Sequence, residues 1–162
     1  PIIAYSLSKT YTLYGTRCGA MICMAKTKEI ADEFRRVCEY SSRGSWSNSA
    51  RVGQVILSKI YADKELLRKV DEERAYYRDM LLARGRAFEE EAEKAGLETV
   101  PFDAGFFVSI PCDDPDAISA ELEKQGLFIV PLAKGLRVSV ASVSEEKCRK
   151  IPAMIKAAMD EK

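Results

Sequence analysis

One unbroken helical pattern, between Asp63 and Gly96, limits the fold more than any other feature of the chain. Leu66, Val70, Tyr77, Leu81, Phe88, Ala92 and Ala95 recur on a three-to-four-residue beat held over about eight turns. Asp63 supplies an N-cap and Gly96 a stop signal. The charges between them, such as Glu89-Glu90-Glu91, read as a solvated face. The domain boundary is expected inside this helix, near Asp63 to Leu82. The front of the chain then belongs to one sheet system, and residues from about Leu97 form a small α/β unit.

In the front part, Ile2 to Leu7 reads as a short buried strand and Ser6 to Tyr14 as a polar, hydroxyl-rich loop around one Lys. Arg17 to Ala25 is a second apolar run of strand length. Thr27 N-caps a helix with Ile30, Phe34, Val37 and Cys38 on one face, fading at Ser41 to Ser45. Another helix is expected from about Asn48 to Tyr61. After Gly96, Leu97 to Phe102 and Gly105 to Cys112 are strand-like. Asp114-Pro115 opens a helix to Gln125 with Pro at its first position. Leu127 to Leu132 and Leu136 to Ala141 are two more strands, and Ser144 starts a terminal amphipathic helix.

Composition removes several kinds of chemistry. The 162 residues include no His, so Ser-His-Asp and Cys-His hydrolases, His-ligated zinc and an imidazole switch are excluded. The 25 basic and 25 acidic residues cancel, which speaks against a nucleic-acid module. No apolar run reaches the roughly 18 residues of a membrane span, so no membrane partner is expected. The five cysteines are scattered and form no C-x-x-C pair, which fits reduced thiols in a cytoplasmic protein. The opening Pro-Ile-Ile-Ala-Tyr has the texture of the middle of a strand, and we expect a fragment of a longer protein.

The informative segment is Ser6-Leu7-Ser8-Lys9-Thr10-Tyr11-Thr12-Leu13-Tyr14-Gly15-Thr16-Arg17. A Lys beside apolar strands is desolvated, and its neutral amine attacks a carbonyl carbon to form a Schiff base. Ser6, Ser8 and Arg17 offer hydroxyl donors and a planar cationic fork, which suit a phosphate. An imine-forming Lys beside a phosphate cradle describes a pyridoxal phosphate site. On spacing alone, a surface Lys in a polar loop with Arg17 in an ordinary ion pair stays open.

The pattern S-x-S-K-x(7)-R resembles the cofactor-lysine signature of class I/II aminotransferases, fold-type I pyridoxal-phosphate enzymes. Two further segments match in the family's order. Arg43-Gly44-Ser45-Trp46-Ser47-Asn48 is similar to its R-x-x-[aromatic]-S-N segment, and Gly135 to Ala141 is similar to its late R-[VI]-[SN]-x-[AS] strand. The resemblance covers the whole chain.

The resemblance implies an α/β fold. Residues 1–62 would be the tail of the large cofactor-binding domain with its mostly parallel sheet. Residues 63–162 would be a bridging helix and a small domain with a short, mainly antiparallel sheet. It also implies the roles. Lys9 would hold pyridoxal 5'-phosphate as an internal aldimine and act as the acid/base. Ser6, Ser8 and Arg17 would bind the phosphate, and Ser47 would approach the phosphate of the partner subunit. Arg137 would clamp the substrate α-carboxylate. Arg43 and Asn48 would bind substrate, with Arg43 reaching a substrate side-chain carboxylate in a neighbouring subunit of a homodimer. The substrates would be an amino acid, of aspartate or aromatic type, and a 2-oxo acid. Ser49-Ala50 departs from the usual Pro-rich form after Asn48, and Trp46 reads as packing.

The family's partners for the cofactor's pyridine nitrogen, ring and phenolic oxygen precede its lysine, so the isolated chain is expected to bind cofactor poorly and not to turn over. A carbon–sulfur β-lyase shares the scaffold, and an aminotransferase-like sensor domain of a transcription regulator is a non-catalytic use of it. A small α/β interaction domain with a coincidental S-x-S-K is the remaining alternative.

Overall fold

A computed structural model describes residues 1–161. The chain divides into two compact units, Pro1–Arg74 and Ala75–Lys162.

The first unit begins with β1 (Ile2–Ser6), which runs into a four-residue helix α1 (Leu7–Thr10). A 3-10 turn at Tyr14–Thr16 leads to β2 (Gly19–Cys23), followed by α2 (Lys28–Ser45) and α3 (Arg51–Ala62). Strands β1 and β2 pair antiparallel, from Ile2 opposite Cys23 to Ser6 opposite Gly19. The parallel sheet expected of this region is therefore not formed between these two strands. Their link lacks a long crossover helix, and the chain simply turns back.

The buried centre of this unit is small. Leu7, Tyr11 and Cys18 pack with Leu13, Leu57 and Val70. Ile2 to Ser6 are all exposed, as are Met21 and Ile22, and α2 buries no residue. The strand expected to be buried is thus bare. Its apolar residues face both sides, as in strands covered on two faces, but no described element of the unit covers them.

The helix predicted between Asp63 and Gly96 is α4 (Lys64–Ala95). The Asp63 carboxylate accepts from the amides of Glu65 and Leu66 at 2.9 and 3.1 Å. At the far end Gly96 takes a left-handed φ of 65°, and the Leu97 amide turns back to the Ala92 carbonyl at 2.9 Å. Glycine adopts that conformation without the Cβ clash of other residues.

In the second unit, β3 (Phe107–Pro111), α5 (Pro115–Lys124), β4 (Val130–Leu132), β5 (Gly135–Ser139) and α6 (Glu145–Asp160) follow. The sheet order is β3-β5-β4, antiparallel throughout. Phe88, Val108, Ile110, Leu122, Leu136, Val140, Cys148 and Ile155 form its closed core. The strand expected at Leu97 to Phe102 does not form. Val100 gives one bond to the Ser109 carbonyl at 2.9 Å, and Pro101 has no N–H to continue the ladder. The Leu127 to Leu132 strand shrinks to β4, an edge strand that tolerates Pro131.

Candidate active site

The lysine picked out by sequence lies on α1 rather than in a loop. Ser6 makes this helix possible: its extended backbone ends β1, and its Oγ accepts the Ser8 amide at 3.2 Å. Leu7 is buried beneath and donates to the Cys18 carbonyl at 3.1 Å, tying the turn to the start of β2. Lys9 itself is exposed. The sequence reading placed it against apolar strands, whereas one turn of helix sets Leu7 inward and Lys9 outward.

Lys9 and Arg17 meet at one aromatic ring. Lys9 Nζ lies 5.0 Å from the centre of the Tyr14 ring, and Arg17 Cζ also lies 5.0 Å from it. Arg17 Nη1 donates to the Tyr14 carbonyl at 3.1 Å. Its backbone is left-handed at φ 48°, as is that of Thr12 at φ 53°. The ring face attracts both cations and keeps the amine of α1 near the guanidinium that follows the 3-10 turn. An amine and a guanidinium thus meet at one ring, and these are donors of the kind a phosphate-bearing aldehyde would take.

Behind α1, the Tyr11 and Tyr61 hydroxyls are 2.7 Å apart. That hydrogen bond, then burial, pushes the Tyr11 phenol from 10.0 up to about 12. Arg74 stacks on Tyr11 and donates Nε to the Thr10 carbonyl at 3.0 Å.

Arg43, Ser47 and Asn48 gather at the end of α2. Arg43 Nη1 donates to the Ser47 hydroxyl at 2.8 Å and the Ser47 carbonyl at 3.3 Å, and Ser47 is left-handed at φ 69°. The Asn48 amide donates to the Trp46 carbonyl at 2.9 Å. All three line an open groove of about 730 Å³ with Met21, Cys23 and Cys38. Lys9, Ser6, Ser8 and Arg17 do not line it. Trp46 is exposed, so the packing role read for it does not hold within this chain.

Arg137 stands on β5 in the second unit. Its guanidinium carbon lies 4.6 Å from the centre of the Phe107 ring. Its Nε is buried without a hydrogen-bond partner among the described residues. A buried charged donor left unpaired is destabilising by itself, and an incoming carboxylate would satisfy it.

Sequence reasoning passed over Tyr14, Tyr61 and Arg74. Tyr14 had a local signal, an aromatic residue between the Lys and the Arg of one short segment. Tyr61 and Arg74 had none, being 50 and 64 residues from their partners.

The fold is that of a class I and II aminotransferase chain. Residues 1–155 match the family described as aminotransferase class I and II, and the chain belongs to that family. It is similar to a crystal structure of an aminotransferase from Anaerococcus prevotii, at 34% identity and a TM-score of 0.92, covering 98% of this chain and 39% of that one. A Thermus thermophilus aspartate aminotransferase mutant complexed with tryptophan shares the fold at 24% identity and a TM-score of 0.68, over 97% of this chain and 40% of that one. An aromatic-amino-acid aminotransferase from Burkholderia pseudomallei, covalently bound to pyridoxal phosphate, does so at 24% identity and 0.65, over 98% and 40%. The chain therefore spans about two-fifths of the length of these structures. No curated protein sequence matches it.

Proposed function

We propose that the chain is the carboxy-terminal portion of a pyridoxal-phosphate-dependent aminotransferase, which moves an amino group between an amino acid, of aspartate or aromatic type, and a 2-oxo acid. The observation that carries this reading is local. In a chain of the class I and II family, Lys9 and Arg17 share the Tyr14 ring on a turn capped by Ser6.

When bound, the cofactor supplies a sink for the electron pair released at the substrate Cα. The remaining work falls to the chain. Lys9 would hold the cofactor, and its Nζ would then carry a proton between the substrate Cα and the cofactor carbon. Ser6, Ser8 and Arg17 donate to the phosphate, and Ser47 approaches that of a neighbouring subunit. Arg137 offers two parallel donors to the α-carboxylate, fixing orientation as well as charge. Arg43, held by Ser47 and beside Asn48, addresses a substrate side-chain carboxylate across a homodimer.

In this reading residues 1–62 are the tail of the large domain and residues 63–162 the bridging helix and small domain of a cytoplasmic enzyme. The bare faces of β1 and β2 support that assignment, since a larger sheet would cover them. The chain alone holds cofactor weakly and does not turn over.

Borohydride reduction of the intact enzyme with pyridoxal phosphate, followed by peptide mapping, tests the reading. Label is expected on Lys9. Lys9→Ala is expected to abolish transfer from L-aspartate or L-phenylalanine to 2-oxoglutarate while the fold is retained. Unchanged transfer in that variant would remove Lys9 from the chemistry.

A further inference from the structure

A helix of four residues cannot hold itself in water, because nucleating its first turn is unfavourable. The direction in which α1 presents Lys9 is therefore set from outside the helix. On the entry side the Ser6 cap and the Leu7 bond to Cys18 do this. On the exit side the amides of Tyr11 and Leu13 both return to the Leu7 carbonyl, at 3.2 and 3.3 Å, and the chain leaves through the left-handed Thr12. The Thr10 carbonyl, next to Lys9, is one of the orphan acceptors at a helix end.

Arg74 takes that acceptor, through Nε at 3.0 Å. The same guanidinium donates Nη1 to Asp71 at 2.7 Å and lies 4.8 Å from the centre of the Tyr11 ring. Tyr11 is buried and is anchored in turn by the Tyr61 hydroxyl at 2.7 Å. One planar group thus meets a carbonyl, a carboxylate and a ring face together. A lysine ammonium, compact and lacking the fork, cannot make all three contacts. A cation at a helix C-terminus is also favoured by the carbonyl dipoles.

Resting on the role proposed above for Lys9, we propose that Arg74 is a positioning residue. It locks the Thr10–Tyr11 end of α1, so that the Lys9 amine is presented in one direction to the carbonyl with which it condenses. Arg74 touches neither substrate nor cofactor and acts through the backbone it holds. In the condensation the Lys9 nitrogen bonds to the aldehyde carbon, and the carbonyl oxygen leaves as water with two protons from the amine. Arg74 supplies no atom to that step.

The test compares Lys9 with Lys28, an exposed lysine at the start of α2, in the intact enzyme. Wild type, Arg74→Met and Arg74→Lys are mixed with pyridoxal phosphate and reduced with borohydride, and label on the two lysines is counted by peptide mapping. Wild type is expected to prefer Lys9 strongly. Arg74→Met is expected to lower the Lys9-to-Lys28 ratio by about tenfold or more, since small misplacements of a reacting group have effects of that size. Arg74→Lys is expected not to restore it. Amide exchange at Tyr11 and Leu13 should quicken in both variants. A staple that only stabilises the fold would lower the melting temperature and leave the ratio unchanged, and that result overturns the proposal. If Arg74→Met does not fold, the ratio in Arg74→Lys decides. A wild type with no preference for Lys9 strikes instead at the function proposed for that lysine.

Discussion

Lys9 Nζ lies 5.0 Å from the centre of the Tyr14 ring, although both residues are exposed. Arg17 shares that ring, so Tyr14 gathers two cations that would otherwise repel each other. The attraction needs the ring face and not the hydroxyl. Tyr14→Phe is expected to leave cofactor retention unchanged in the intact enzyme. Tyr14→Leu is expected to weaken it about two- to fivefold, the equivalent of about 0.5–1 kcal/mol for an exposed cation–ring contact. Equilibrium dialysis of pyridoxal phosphate measures both, and equal retention in the two variants would count against the ring.

The hydrogen bond between the Tyr11 and Tyr61 hydroxyls gives alkaline stability a defined window. The folded Tyr11 phenol is raised from 10.0 to about 12, so its neutral form belongs to the folded state. The stabilisation is whole below pH 10 and is lost as pH rises through about 12. Spectroscopic titration should show one late tyrosinate phase that is missing from Tyr11→Phe. That variant should also be about 1 kcal/mol less stable at neutral pH. A wild type in which all tyrosines ionise together near 10 would rule this out.

Arg137 combines a stacked guanidinium with a buried Nε that has no hydrogen-bond partner among the described residues. Arg137→Leu removes an unsatisfied donor, so the melting temperature is expected to stay level or rise. KM for the amino acid should increase by about 100-fold, because hydrogen bonds to charged groups contribute about 1.5–3 kcal/mol each. Arg137→Lys should recover little of it. Steady-state kinetics beside a melting curve would show the two effects moving in opposite directions. A fall in stability with KM unchanged would mark Arg137 as a packing residue.

Gly135 faces the backbone of β3. A Cβ there would lie 2.2 Å from the Ile110 carbonyl oxygen, an atom that cannot swing aside. Gly135→Ala is expected to destabilise the second unit by about 2–3 kcal/mol, as overpacking does elsewhere, with a fall in Tm of about 10 °C. Calorimetry on the variant would show it, and an unchanged transition would mean the two strands separate more easily than their register suggests.

The exposed faces of β1 and β2 predict behaviour in solution. Ile2 and Met21 are 60% and 59% exposed, and apolar surface of this kind associates. The isolated chain is expected to form oligomers in light scattering, and Ile22→Glu is expected to shift them toward monomer. A chain that stays monomeric without the substitution would contradict this.

The parts of this structure that were legible in sequence are those set by neighbouring residues. Asp63, Thr27, Asp114 and Ser144 cap their helices as their positions suggest, and Gly96 ends the long one. The Ser-Lys-Arg spacing located the lysine turn because all its members lie within twelve residues. What was lost depended on distance or on partners. Nothing near Lys9 announces that Arg74 will take its neighbour's carbonyl. The apolar run of β1 said only that the strand is made to be covered, and not that this chain would leave it bare. A single proline, Pro101, was enough to turn an expected strand into one isolated bond.

Thr12 and Arg17, two left-handed residues that follow the Lys9 turn, have a consequence for laboratory evolution. A residue with a side chain held in that conformation is disfavoured by about 1–2 kcal/mol. A library selected for heat resistance alone should therefore drift to glycine or asparagine at Thr12. It should spare Arg17 only when turnover is selected as well. Sequencing the survivors of the two regimes would separate backbone held for architecture from backbone held for chemistry.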